Sequence, residues 1–245
     1  MQSIAYYHSV GTCSGPRNPA SAARRWKPGA TWRGALRLAF GLCLWLAVAQ
    51  PGAWDANRMQ AAAAALGPRA TAGVEALQTV LTAAAALDEA GKLRAVNDFF
   101  NRRIVFDDDR VIWNQVDYWA SPLETLDKGQ GDCEDYTIGK YFALTSLGVP
   151  VSRLRLVYVR AQVNGGVQAH MVLAYYPTPE AQPLILDNLI SEIRTASRRP
   201  DLSPVFSFNS EGLWQGVGAQ SAGDPVARLS RWRDVLAKAH AEGFR

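Results

Sequence analysis

Two strand-like runs on either side of one glycine-rich turn place the strongest constraint on the fold. Residues 153–162 and 167–176 have the composition of β-strands, and Asn164-Gly165-Gly166 lies between them. Such turns favour tight antiparallel hairpins because asparagine and glycine tolerate positive φ. Three shorter strand-like runs follow, at 183–188, 206–209 and 213–214. The second half of the chain is therefore expected to form an antiparallel sheet.

The sequence before this hairpin is helical in pattern. Apolar residues recur at helical spacing between residues 72 and 101, in two stripes with a break at Gly91. A long helix is predicted over 133–147, where a glycine and a proline follow as stop signals. An amphipathic basic helix is predicted over 225–240. Helices, one long central helix and then antiparallel strands indicate an α+β fold.

The N-terminal 49 residues have the three parts of a secretory signal peptide. A basic segment without acidic residues precedes a twelve-residue apolar run at 38–49, which ends in Ala47-Val48-Ala49. A bilayer-spanning helix needs about 20 apolar residues, so this run is too short. We predict a signal peptide over 1–49, a flexible connection over 50–70 and one domain over 71–245. The alternatives are an uncleaved anchor or a buried helix; after processing we expect no stable membrane span.

Removal of this leader changes both the charge and the supply of reactive side chains. Six of the 26 basic residues and none of the 22 acidic residues lie in it, which leaves a formal charge of −2. The remaining chain has no basic footprint for nucleic acid, so we predict no nucleic-acid partner. Beyond the leader, Cys133 is the only cysteine, and His170 and His240 are the only histidines.

Cys133 is the candidate nucleophile because it follows a glycine-rich loop and begins the predicted central helix. Free backbone N–H groups and the helix dipole favour a thiolate there, although a buried, inert cysteine is the alternative. His170 lies on a predicted strand and is the candidate base, since His240 is expected to be exposed on a polar helix. Asp187 ends an apolar strand and is the candidate to orient the imidazole, with Asn188 as the second choice.

Three carboxylates surround Cys133 in sequence, those of Asp132, Glu134 and Asp135. Nearby negative charge raises the pKa of a thiol and weakens the nucleophile. Helix capping accounts for one or two of these residues but not for all three. A hard cation would neutralise the repulsion, and Ca²⁺ is the usual choice outside the cytoplasm. We predict a Ca²⁺ site on these three residues, completed by backbone oxygens or by Asp117.

Five short segments between about residues 99 and 214 carry a family resemblance. They are Gly131-Asp132-Cys133-Glu134-Asp135-Tyr136, Lys140-Tyr141-Phe142, Leu147-Gly148-Val149-Pro150, His170-Met171-Val172-Leu173-Ala174-Tyr175-Tyr176 and Leu186-Asp187-Asn188-Leu189. In this order they resemble the bacterial transglutaminase-like cysteine proteinases. The helical lead and the C-terminal helix add little to the resemblance.

The resemblance implies a papain-like or transglutaminase-like fold and a periplasmic, calcium-dependent protease. Such a protease cleaves the N-terminal region of a large surface adhesin at a di-alanine site, which releases the adhesin and disperses biofilm. An inner-membrane cyclic di-GMP receptor would sequester the protease. The implied residues are a Cys133–His170–Asp187 triad and a Ca²⁺ site of Asp132, Glu134 and Asp135.

In the expected reaction, Cys133 attacks the scissile carbonyl while His170 takes and later returns the proton. The Cys133 backbone N–H and a donor from residues 117–119 would bind the oxyanion, and Tyr118 or Trp119 could serve. Two other functions stay open. A transglutaminase or cell-wall amidase uses the same triad, and a non-enzymatic calcium-responsive binding module would leave Cys133 merely buried.

Overall fold

The structure is a computed structural model that describes residues 54–218 and 221–244. The predicted signal peptide and the start of the predicted connection lie outside these residues. Within the described ranges, no helix has both the length and the apolar character needed to cross a membrane.

The described residues form eight α-helices and nine β-strands. The helices are α1 (Ala56–Leu66), α2 (Pro68–Ala84), α3 (Glu89–Arg103), α4 (Asp109–Ile112), α5 (Pro122–Lys128), α6 (Cys133–Ser146), α7 (Pro225–Arg228) and α8 (Ser230–Ala241). The strands are β1 (Val105–Phe106), β2 (Gln130–Gly131), β3 (Leu154–Val163), β4 (Gly166–Tyr175), β5 (Leu184–Leu186), β6 (Arg194–Thr195), β7 (Leu202–Phe208), β8 (Leu213–Gln215) and β9 (Ser221–Gly223).

Seven of the strands form one antiparallel sheet in the order β6-β5-β4-β3-β7-β8-β9. Its centre is the predicted hairpin, in which Val163 pairs with Gly166 and Val159 with His170. Asn164 and Gly165 turn the chain with φ of 52° and 80°, the left-handed region that these residue types tolerate. The two-stranded parallel pair β1–β2 lies apart from this sheet and leads directly into α6.

The long helix α6 is buried between the sheet and the N-terminal helices. It contacts β3 and β4 on one side and α3 and α5 on another. A Cβ at Gly139 would lie 2.3 Å from a ring carbon of Phe100, so only glycine allows α3 to approach α6 so closely. One apolar cluster spans these layers and includes Leu81, Phe100, Phe142, Leu156, Leu173 and Trp232. The predicted α+β fold, with the nucleophile helix on an antiparallel sheet, is confirmed.

The prediction of a flexible connection over 50–70 is wrong for its described part. Asp55 caps α1, because its carboxylate accepts a hydrogen bond from the Arg58 backbone N–H at 3.0 Å. Met59 and Ala63 are fully buried in the main core. Alanine has the highest helix propensity, so the Ala-rich composition that suggested mobility supports a helix once one face is buried.

Two helix boundaries also differ from the predictions. The break expected at Gly91 lies before Glu89, and Gly91 is in the first turn of α3, where its N–H donates to the capping carboxylate of Asp88 at 2.7 Å. The C-terminal helix is interrupted at Leu229, which separates α7 from α8. His240 is exposed near the end of α8, as predicted.

Candidate active site

The loop before α6 places Cys133 at the first position of the helix. Asp132 is the N-cap residue, and its carboxylate accepts a hydrogen bond from the Glu134 backbone N–H at 3.2 Å. At Gly131 a Cβ would lie 2.8 Å from the Cβ of Asp135, so the tight approach of loop and helix requires glycine. Cys133 is partly buried and contributes to the edge of the main core.

His170 and Asp187 are brought together by adjacent strands of the sheet. His170 lies on β4, and Asp187 follows the end of β5, whose Leu186 pairs with Leu173 of β4. His170 Nε2 lies 2.7 Å from Asp187 Oδ1, and both residues are 2% exposed. Asn188, the second candidate for this position, has a buried Oδ1 that accepts no hydrogen bond from any described residue.

The electrostatics of the pair favour an ionised Asp187 carboxylate beside the imidazole. Burial alone would raise the pKa of the Asp187 carboxyl, but hydrogen bonds and charge from His170 and Arg199 lower it. An ionised Asp187 accepts the proton on His170 Nε2 and leaves Nδ1 as the basic nitrogen. This is the tautomer that a thiol partner needs.

Cys133 lies beside the strand that carries His170. Helix α6, which begins at Cys133, contacts β4. The Thr137 hydroxyl, one turn further along, donates to the carbonyl oxygen of Met171, the residue after His170, at 3.2 Å. The thiol itself donates to Glu134 Oε2, with Sγ and oxygen 2.7 Å apart. Burial raises the pKa of the Cys133 thiol well above its usual range, and the charges of Glu134 and Asp132 raise it further. The predicted penalty from the acidic neighbours is confirmed.

An acidic cluster lies next to the nucleophile and includes a residue that the sequence did not single out. Oxygen atoms of Asp109, Asp132 and Asp135 all lie within 4.8 Å of one another. Asp132 also belongs to a second such group with Cys133 Sγ and Glu134. Asp117, offered from the sequence as a further ligand, is exposed, and its carboxylate pairs with Arg231 at 3.2 Å.

Hydrogen bonds leave this cluster incompletely satisfied. The Ala120 N–H donates to Asp135 Oδ1, and the Tyr118 N–H donates to Asp109 Oδ2. Within residues 54–218 and 221–244, Asp135 Oδ2 and Asp109 Oδ1 are buried and have no hydrogen-bond donor. Buried carboxylate oxygens without donors are costly unless they are protonated or coordinate a cation.

The raised pKa values of the cluster also show that its carboxyl groups are poorly stabilised in the ionised form. Burial raises the pKa of Asp132 to about 10, with further contributions from the charges of Glu134, Asp135 and Asp109. The pKa values of Asp135 and Asp109 are also raised, again mainly by burial. Three oxygen-bearing side chains at this spacing fit a hard divalent cation such as Ca²⁺, whose charge would reverse this repulsion.

Of the two candidate side chains for an oxyanion donor, only one has an available hydrogen. The Tyr118 hydroxyl donates to Glu124 Oε1 at 2.7 Å and accepts from Lys238 Nζ at 3.1 Å. The Trp119 Nε1–H is buried and has no acceptor among the described residues, while its ring stacks on Phe208 with centroids 5.7 Å apart. Of the two side chains, Trp119 is therefore the one whose hydrogen is not already bound within the part of the chain that the structure describes.

The C-terminal helix supports this segment, a role that sequence reasoning missed. Lys238 on α8 donates to the Trp119 carbonyl oxygen at 3.1 Å and to Glu124 Oε2 at 2.5 Å. Glu242, just after α8, accepts hydrogen bonds from the Ser121 hydroxyl and from the Leu123 N–H. The segment that provides Trp119 and the two N–H donors of the acidic cluster is thus held by α8.

Comparison with solved structures finds several structures of one similar protein. Three solved structures of LapG from Legionella pneumophila are each 38% identical to this chain. The EGTA-treated form covers 76% of this chain and 97% of its own, with a TM-score of 0.67. The calcium-bound form covers 75% and 98%, with a TM-score of 0.66. A search of curated protein sequences found no match.

The family described as bacterial transglutaminase-like cysteine proteinase BTLCP matches residues 71–201, more than half of the chain. This range includes most of α2, all of α3 to α6, the central hairpin, β5 and β6, together with all the candidate catalytic and cation-binding residues. The chain belongs to the bacterial transglutaminase-like cysteine proteinase family.

Proposed function

We propose that this protein is a calcium-dependent cysteine endopeptidase with a Cys133–His170–Asp187 triad. The observation that carries the proposal is the buried pair of His170 Nε2 and Asp187 Oδ1, 2.7 Å apart, on strands beside the start of α6. A carboxylate bound to one imidazole nitrogen fixes the tautomer and leaves the other nitrogen for the nucleophile. Membership of a cysteine proteinase family supports the same chemistry.

In the proposed reaction, His170 Nδ1 takes the proton of the Cys133 thiol, and the sulfur attacks the scissile carbonyl carbon. The negative charge that develops on the carbonyl oxygen is bound by the Cys133 backbone N–H and the Trp119 Nε1–H. The imidazolium, stabilised by Asp187, gives its proton to the leaving amine as the C–N bond breaks. Water then hydrolyses the thioester, with His170 again acting as the base.

The proposed calcium site consists of Asp109, Asp132 and Asp135, with Glu134 from the adjoining group. A bound cation would supply the positive charge that keeps these carboxylates ionised at neutral pH. With Glu134 among its ligands, the Glu134 carboxylate would be bound by the cation rather than by the Cys133 thiol, which would leave the thiol proton to His170. The similarity to a calcium-bound LapG structure supports this assignment.

The proposed substrate is the N-terminal region of a large surface adhesin, cleaved at a di-alanine site to release the adhesin and disperse biofilm. The proposed location is the periplasm, reached through the signal peptide at 1–49. The proposed regulator is an inner-membrane cyclic di-GMP receptor resembling LapD, which sequesters the protease when the nucleotide is abundant. The similarity to LapG supports the periplasmic location, and the substrate and the regulator follow from the family resemblance of the sequence.

A cleavage assay tests the proposed reaction. The purified protein is incubated with Ca²⁺ and the N-terminal fragment of a large adhesin encoded in the same genome, with and without an added primary amine. We expect cleavage of the adhesin fragment into two products at the peptide bond between two adjacent alanines. The Cys133→Ala variant should not cleave it.

Other outcomes of this assay separate the alternatives. An amine-labelled or cross-linked product would identify a transglutaminase and contradict the peptidase proposal. Full adhesin release in cells that carry only Cys133→Ala would point to a non-enzymatic binding module. Cleavage that persists unchanged in excess chelator would exclude the calcium requirement.

A further inference from the structure

We propose that Arg199 is a positioning residue for the active site, whose guanidinium holds the Asp187 carboxylate in the orientation that His170 requires. The inference rests on the proposed roles of Asp187 and His170 and assigns a function to a residue outside the triad. Arg199 lies within the range that the proteinase family matches.

The two oxygens of Asp187 have different partners. Oδ1 lies 2.7 Å from His170 Nε2, and Oδ2 accepts a hydrogen bond from Arg199 Nη2, also at 2.7 Å. The Asp187 side chain is fully buried and that of Arg199 is 1% exposed. Because both oxygens are bound, the carboxylate cannot rotate without the loss of a charge-assisted hydrogen bond. Oδ1 also accepts a hydrogen bond from the Leu189 backbone N–H at 3.1 Å, so Leu189 and Arg199 together set the orientation that the carboxylate presents to His170.

Arg199 is itself fixed by a second carboxylate. Asp201 accepts from Arg199 Nε at 3.0 Å and from Nη2 at 2.7 Å, which is the planar two-point contact that arginine favours. The Arg199 N–H donates to the Ala196 carbonyl oxygen, and the Asp201 carbonyl oxygen accepts from the Gln162 N–H of β3. The guanidinium is thus anchored to the sheet before it reaches Asp187.

Burial of a guanidinium at this position costs free energy. Arg199 lines a cavity of about 150 Å³ whose other walls are mostly apolar, among them Val157, Val172 and Ile185. Its Nη1 is buried without a hydrogen-bond acceptor among the residues that the structure describes. A buried ion pair seldom stabilises a fold more than apolar side chains of similar volume would. The contact with Asp187 therefore explains the presence of a buried arginine here better than a contribution to fold stability does.

Four charged or titratable side chains act on Asp187. His170 from β4 and Arg199 from the segment after β6 bind it directly, and Lys140 from α6 and Asp201 interact with it through their charges. Burial lowers the pKa of Lys140 to about 7, so its charge varies near neutral pH. A guanidinium keeps its charge at every working pH. Arg199 is therefore the constant positive partner of the carboxylate.

Loss of the guanidinium would leave Asp187 Oδ2 buried and without a donor. The carboxylate could then rotate or take up a proton, and either change would release the Nε2–H of His170. A neutral imidazole without this constraint also populates the tautomer with its proton on Nδ1. That tautomer cannot accept the thiol proton, so the chemical step should slow while substrate binding is preserved.

Kinetics and histidine NMR test the proposal with Arg199→Gln and Arg199→Lys. For Arg199→Gln we expect kcat to fall about ten- to hundredfold, as for other residues that orient site ligands, with KM changed less than about twofold. Arg199→Lys should lose less of its kcat, because lysine keeps the positive charge although it lacks the planar guanidinium. The imidazole ¹⁵N signals of His170 should move from the Nε2–H pattern toward a mixture, while those of exposed His240 stay unchanged.

Arg194→Gln is the matched control, because Arg194 is a more exposed arginine of β6 that pairs with Glu192 at 2.7 Å. It should leave kcat and the His170 signals at their wild-type values. A folded Arg199→Gln protein with wild-type kcat and unchanged His170 signals would overturn the proposal. If Arg199→Gln does not fold, the same result in Arg199→Lys overturns it. Should the wild type cleave no adhesin, the proposed function fails, whereas the His170 signals still test the role of Arg199.

Discussion

At the scale of single residues, the candidate site combines groups that the sequence places side by side with groups that only the fold brings near. Asp132, Cys133, Glu134 and Asp135 are consecutive, so their proximity could be predicted from the sequence. Asp109 lies 23 residues before Asp132 in an acidic run whose members the sequence cannot tell apart. Its inclusion depends on how α4 meets the start of α6, which no local pattern encodes.

Trp119 carries a prediction at this scale. Trp119→Phe keeps the aromatic ring that stacks on Phe208 but removes the buried Nε1–H, which has no acceptor within the described residues. If this hydrogen binds the developing oxyanion, kcat should fall by about 10²–10³-fold with little change in KM. Steady-state kinetics on the adhesin fragment measure both constants.

Trp113→Phe provides the control for Trp119→Phe. The Trp113 Nε1–H is also buried without an acceptor, but its ring packs on Tyr118, at the end of α4. We expect near-wild-type kcat from this variant. Equal kcat values for Trp119→Phe and wild type would leave the backbone N–H of Cys133 as the sole assigned oxyanion donor.

At the scale of elements, the sequence predicted best where local chemistry decides the structure. The hairpin of β3 and β4 follows from Asn164 and Gly165, and the start of α6 follows from its glycine loop and cap. The helix α1 was missed because its apolar face is only alanine and one methionine, and its stability comes from tertiary contacts such as the Asp55 N–H to the Gly243 carbonyl oxygen. The support that α8 gives to the site was missed for the same reason.

The attachment of α8 should make stability depend on pH through Glu242. Burial raises the pKa of this carboxyl to about 7 from an ordinary value of 4.5. A raised carboxyl pKa means that the folded state binds the proton more tightly than the unfolded state does. The stabilisation is therefore complete below about pH 4.5 and is lost as the pH rises to about 7.

Glu242→Gln tests this dependence because glutamine does not titrate. The difference in free energy of unfolding between variant and wild type should change by about 3 kcal/mol between pH 4.5 and pH 7 in favour of the variant. Denaturant unfolding at several pH values measures this difference, and Glu211→Gln at an exposed glutamate is the control. A difference that stays constant with pH would contradict the assignment.

At the scale of the whole molecule, the acidic cluster joins α4, the start of α6 and the segment that contains Tyr118 and Ala120. Asp109 comes from α4, Asp132 and Asp135 from the start of α6, and two of the three carboxylates accept N–H groups of the segment held by α8. A cation bound at this junction would connect the family-matched range to the C-terminal helix. Calcium should therefore stabilise the fold as well as activate the site.

Thermal unfolding with Ca²⁺ or with chelator tests this coupling. At a Ca²⁺ concentration a hundredfold above Kd, binding adds about 2.7 kcal/mol, which raises Tm by about 5–10 °C for a domain of this size. Asp109→Asn should gain less thermal stability from Ca²⁺ because it loses one ligand charge. In chelator it should unfold at no lower temperature than the wild type, because one of three mutually repelling carboxylates is gone. Asp108→Asn, at the exposed neighbour, should respond to Ca²⁺ as the wild type does. A Ca²⁺-induced rise in Tm that is equal in Asp109→Asn and wild type would place the calcium site elsewhere.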